Sequence, residues 1–139
     1  MSTRRMREVL VWVWWASFLL CVVLLIVLYA LRWIEADNLT LGIQRIGELY
    51  LPYIGVISAF YFAQGRVTER APAAGTAGAI ALAASLLWNL GLVGSMALVL
   101  LTVHSIEQSL VMMGTWALAC SVFVAPALGA WFGKREPGG

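Results

Sequence analysis

Charge is what this sequence has least of. Only 12% of its residues are Asp, Glu, Lys or Arg, against about 25% in a typical soluble domain. Histidine occurs once, at His104, and cysteine twice, at Cys21 and Cys120. These shortages exclude several classes. A structural zinc site wants about four His or Cys ligands, so no metal centre is expected. Two cysteines deep inside apolar blocks make no disulfide framework and read as small apolar side chains. No HExxH, GxSxG, phosphate-binding loop or intramembrane carboxylate pair occurs. Acid–base chemistry therefore has few carriers, and no enzyme, catalytic residue or cofactor is expected. No basic stripe lies away from the flanks of the apolar runs, which speaks against nucleic acid as a partner.

What fills the chain is apolar. Hydrophobic residues make up 62% of it, and the mean hydropathy is +0.88. A soluble core does not need that much, so the solvent for most side chains is expected to be lipid. Four apolar runs stand out, at about 9–31, 49–65, 77–103 and 109–132. They predict an all-α integral membrane protein, one domain over 1–139, with four transmembrane helices in an antiparallel bundle. The first run is too long for a signal h-region of about 7–15 residues and is read as a retained span. Trp12, Trp14 and Trp15 at its start fit an interfacial anchor. It is poor in small residues, which predicts a peripheral, lipid-facing helix. The paired runs differ in composition and loop length, so no internal repeat is expected.

The basic residues set the orientation. Arg4, Arg5 and Arg7, then Arg66 and Arg70, then Lys134 and Arg135 hold seven of the nine Lys and Arg residues. By the positive-inside rule these three segments are cytoplasmic, both termini among them. The expected location is the plasma membrane, a bacterial-type inner membrane, crossed several times.

Helices in lipid associate through small residues that let backbones approach. The third run carries Ala73, Ala77, Ala81 and Ser85 at four-residue spacing, with Asn89 next. The fourth carries Ala117, Ser121, Ala125 and Gly129, with Gly133 beyond. Residues four apart share a helix face, so these two rows predict a tight contact. Asn89 is expected to act as polar glue, for example to Ser121. Pro126 should kink the fourth helix.

The stretch "DNLTLGIQRIGELYLPYIG" is the one polar interruption of interest. Projected at 100° per residue, Leu39, Ile43, Ile46, Leu49, Tyr50, Tyr53 and Ile54 share one side. Thr40, Gln44, Arg45 and Glu48 share the other. This predicts an outer amphipathic helix over about 38–48, capped by Asp37 or Asn38, with Pro52 at its join to span two. Arg45 and Glu48, three apart, are placed to pair. His104 and Glu107 sit three apart in the last short turn. The candidate polar or interface residues are thus Gln44, Arg45, Glu48, Asn89, His104 and Glu107.

Two functions are compatible with these residues. The first is a non-catalytic membrane subunit, anchor or sensor that acts by assembly, with the lipid bilayer and either itself or another membrane protein as partners. The second is a homo-oligomeric channel, pore or transporter.

Overall fold

The computed structural model describes residues 3–63 and 75–132. The end of the second apolar run at 64–65, the basic linker with Ala73, and the tail with Gly133, Lys134 and Arg135 lie outside the described residues. Four helices account for nearly all of the rest: α1 (Thr3–Ala30), α2 (Ala36–Ala63), α3 (Thr76–Leu100) and α4 (Ile106–Phe132). There is no strand among the described residues. Three segments are long and apolar enough to cross a membrane: Arg5–Ala30, Thr76–Leu100 and Ile106–Phe132. α2 matches α1 at 28 residues, but Asp37, Arg45 and Glu48 interrupt its apolar character.

α2 does not divide as its sequence suggests. The polar 38–48 segment and the apolar run after it form one continuous helix that passes through Pro52. Pro52 withholds the N–H that would bond the Glu48 carbonyl, but packing on both sides of that gap keeps the helix going. The helix starts earlier than predicted. Glu35 precedes it, so Asp37 and Asn38 fall inside the first turn and neither is the cap. α4 likewise runs unbroken through Pro126. Its start is closed by a reciprocal pair: the Gln108 N–H donates to Ser105 Oγ at 3.3 Å, and the Ser105 N–H donates to Gln108 Oε1 at 3.1 Å. This is a capping box, which satisfies two otherwise orphaned donors.

The turns after α1 and α3 are built alike. Each ends its helix on a residue with positive φ, Arg32 at 59° and Thr102 at 57°. The Trp33 N–H bonds the Leu28 carbonyl at 3.0 Å, and the Val103 N–H bonds the Leu98 carbonyl at 3.0 Å. Arg32 and Thr102 N–H groups reach back to Tyr29 and Val99. Both are Schellman-type closures, which give helix-end carbonyls a partner. The expectation of unequal loops is therefore corrected. Residues 31–35 and 101–105 are equal in length and follow helix ends closed by the same backbone bonds. Placing the polar half of α2 outside its span, as a separate outer helix, hid this.

Each helix packs on two others: α1 on α2 and α3, α4 on α3 and α2. The core repeats about every seven residues, the period of left-handed helix packing. Trp14, Cys21 and Leu28 are buried on α1, Ser85, Leu92 and Val99 on α3, and Met113 and Cys120 on α4. The peripheral role predicted for α1 holds only in part: Leu19, Leu20, Val23, Ile26 and Val27 face outward, but its inner face is enclosed. Leu10, Trp14, Cys21, Leu25 and Leu28 are wholly buried, because α1 is shared between two neighbours. Of the proposed tryptophan anchor, Trp12 is 72% exposed and Trp14 is completely enclosed.

Close approach is made at glycines. A Cβ at Gly42 would strike Leu25, one at Gly78 would strike Trp131, and one at Gly91 would overlap the Trp116 indole. The row predicted on α3 faces inward, with Ala81, Ser85 and Asn89 buried and Ala77 partly so. The row on α4 is corrected. Ala117 is buried, but Ser121 is half-buried and Ala125 and Gly129 are exposed. The inward positions are Cys120, Val124, Leu128 and Trp131. Outside the core, the surface carries Leu20, Val23, Leu90, Leu118, Val122 and Phe123, all exposed. So contiguous an apolar exterior suits lipid and not water.

Candidate functional site

Two polar regions lie on this frame. The first is a groove between the N-terminal halves of α2 and α4. α2 turns Leu41, Gln44, Arg45 and Glu48 toward it, and α4 supplies Glu107, Leu110 and Val111. The cleft measures about 410 Å³ and is open. Arg45 Nη1 donates to Glu48 Oε2 at 3.1 Å, and both side chains stay largely exposed, at 44% and 65%. The pairing predicted from the three-residue spacing is therefore formed. Arg45 reaches toward α4 because Gly114 makes room: a Cβ there would collide with the guanidinium. Asn38 Nδ2 donates to Glu107 Oε1 at 3.4 Å, linking the two helices near their starts.

Glu107 is the hinge of this region. It also borders a hollow beside the turn lined by Trp33, Asn38, Thr102 and His104, and another with His104, Gln108 and Met112. The fold thus brings together two candidate groups that are far apart in sequence. Gln44, Arg45 and Glu48 come from α2 and Glu107 from α4, with His104 beside Glu107 in the adjoining hollows. The surface so made is amphipathic, with Leu110 buried at its base, Leu41 and Val111 exposed beside it, and charges of both signs around it. It can take a polar or charged group whose stem is apolar. No cluster of three or more metal-ligating side chains occurs among the described residues.

The second region is buried where α1, α2 and α3 meet. Trp14 lies 4.7 Å from Trp88 and 4.9 Å from Tyr53, centroid to centroid. Tyr50 meets the Trp88 ring edge-on at 5.2 Å, and its hydroxyl lies 3.6 Å from Cys21 Sγ. Offset and edge-on rings of this kind are worth about 0.5–1.5 kcal/mol per pair beyond burial. Asn89 sits on the same stretch of α3. Its Nδ2 donates to the Ser85 carbonyl of its own helix at 2.7 Å. The expected bond to Ser121 is not made: the Ser121 hydroxyl donates to the Leu118 carbonyl instead. Asn89 Oδ1, Ser85 Oγ and the indole N–H groups of Trp14 and Trp88 are buried with no hydrogen-bond partner among the described residues.

Sequence reasoning missed this aromatic knot. Trp14 was visible, but tryptophan near a span end reads as an interfacial anchor, and nothing in the local sequence links it to Trp88 in the middle of α3. The overlooked signal was the seven-residue row Trp14, Cys21 and Leu28, which places Trp14 on the core seam. It also missed Asn38, because a polar residue in a predicted cap position has a local explanation.

No family model matches this chain, and no curated protein or solved structure does.

Proposed function

We propose that this chain is a small multi-pass membrane protein that works without catalysis, as an assembling subunit, anchor or sensor. The observation that carries this reading is the contrast between surfaces. The exteriors of α1, α3 and α4 are dominated by large apolar side chains. α2 and the start of α4 gather the exposed Arg45–Glu48 pair and Glu107 into one groove. A polar groove on an otherwise lipid-like exterior marks where something other than lipid is met.

In this reading all four helices cross the bilayer, α2 included, since 28 residues at about 1.5 Å each reach about 42 Å. Paired contacts support antiparallel hairpins. Leu25 meets Gly42 and Trp15 meets Ser58, while Gly78 meets Trp131 and Gly91 meets Trp116. In each hairpin one number rises as the other falls. The basic segments put both termini in the cytoplasm, and a bacterial inner membrane is the membrane this layout suits. Reporter fusions at residues 36, 70, 105 and 139 are expected to read outside, inside, outside, inside. A cytoplasmic signal at 105 defeats the topology.

A second reading is a homo-oligomeric channel or transporter, favoured by the same open groove, which several copies would close into a path. Ion flux through liposomes that falls with Glu48→Ala selects it; the absence of flux selects assembly alone.

A further inference from the structure

We propose that the exposed face of α2 is where two copies of this chain pair side by side, with Arg45 of one copy against Glu48 of the other. This rests on the membrane reading above and names its partner and surface.

The face is continuous. Leu41, Glu48, Pro52, Gly55, Ala59 and Phe62 are all exposed, and at 100° per residue they fall within an arc of about 80°. Arg45 stands at its edge, turned toward Gly114. Beyond its first two turns the face narrows: nothing lies within 4 Å of a Cβ built at Gly55. A neighbouring backbone can approach closely there.

Depth makes the charges informative. At about 1.5 Å per residue, Arg45 lies about 14 Å along α2 from Ala36, and Glu48 about 18 Å. A helix of about 42 Å centred on a hydrocarbon layer of about 30 Å overhangs by about 6 Å at each end. Arg45 and Glu48 then sit about 8 and 12 Å below the lipid boundary, where exposed charges are costly. Within one copy they offset each other at 3.1 Å, but the two side chains stay 44% and 65% exposed, and lipid tails offer that exposed polar surface nothing. A neighbour with an opposite charge of each kind does.

A second copy is that neighbour by construction. With a two-fold axis along the membrane normal, each copy stands at the same depth. Arg45 of each meets Glu48 of the other, and the four charges sum to zero. Isologous contacts of this kind need only one surface that complements itself, and an adjacent Arg and Glu is the smallest such surface.

The test is cysteine crosslinking of the full chain in membranes, followed by a charge exchange. Gly55→Cys is expected to form a disulfide dimer on mild oxidation. The parent chain, whose Cys21 and Cys120 are buried, and Val122→Cys, 68% exposed on α4, are expected to stay monomeric. Next, differently tagged Arg45→Glu and Glu48→Arg chains are expressed together. The mixed pair is expected to be recovered about tenfold over either variant with itself. Equal recovery overturns the exchange of Arg45 and Glu48. Dimers through Val122→Cys alone overturn this surface but leave assembly standing. An adduct of Gly55→Cys with an unlike protein overturns the second copy as occupant. A chain that stays monomeric by crosslinking and by native mass measurement overturns both this proposal and the assembly reading.

Discussion

The turns after α1 and α3 are closed by the same backbone hydrogen bonds, yet the helices that leave them expose different chemistry. α4 begins at a side-chain capping box and then turns Val111, Leu118, Val122 and Phe123 outward. α2 begins with no such box and adds Gln44, Arg45 and Glu48 to an outward face that also carries Leu41, Ile43, Leu51, Val56 and Phe62. The α3–α4 hairpin also docks a tryptophan over a glycine twice, while α1 and α2 dock a leucine over one. One hairpin design thus serves two ends. Where the outer face is apolar, shape alone fixes the partner helix. Where it is also polar, the hairpin keeps its register through buried aromatics and leaves its charges for other contacts.

Substitutions can break this comparison. The largest effect is expected at the rings between hairpins. Trp88→Ala should cost about 3–5 kcal/mol, as for other buried tryptophans, because it removes the partner of Trp14, Tyr50 and Tyr53 together. Trp12→Ala, at an exposed site, should cost less than about 0.5 kcal/mol. Unfolding of the purified protein in detergent measures both. Next come the glycine contacts. Gly91→Ala forces Trp116 to move and should cost about 1–3 kcal/mol. Gly94→Ala, with nothing within 4 Å of the new Cβ, should instead gain about 0.5–1 kcal/mol of helix preference. Equal losses at the two would show that the docking of Trp116 is not what Gly91 serves. The smallest difference lies at the helix starts. Ser105→Ala should cost about 1 kcal/mol. Glu35→Ala, at the matching position of the other hairpin, should cost clearly less, since no side-chain cap is made there. A thermal scan of the two variants side by side reads the difference.

Much of this frame was legible because its causes are local. The apolar runs mark the helices, and the wheel over 39–54 identified the inward side of α2. Ile46, Tyr50 and Ile54 are buried there and Arg45 and Glu48 are not, though Ile43, placed on the same side, is 45% exposed. The Arg45–Glu48 pair follows from spacing alone. What was not legible depends on where neighbours stand. Pro52 reads as a break only if nothing holds the helix on either side of it. The row Ala117, Ser121, Ala125, Gly129 fails because strict four-residue steps drift about 40° each on a 3.6-residue helix. By Ala125 the row has left the seam that the seven-residue period keeps. Glu107 and Arg45 share a groove only because α2 packs on α4, and no spacing in one chain segment announces that.

The twin turns also bear on the order in which the molecule comes together. Within a hairpin, the first contacts are separated by little more than the five residues of the turn. Contacts between hairpins, such as Trp14 with Trp88 or Asn38 with Glu107, join residues 74 and 69 positions apart. Loop-closure entropy favours the near pairs, so each hairpin closes before the two dock. The aromatic knot and the charged groove both sit on the docking seam. A chain stalled as two separate helix pairs would therefore have nearly all of its helix, the Trp14–Tyr53 stack and the Arg45–Glu48 pair, but neither Trp88 in the knot nor Glu107 in the groove.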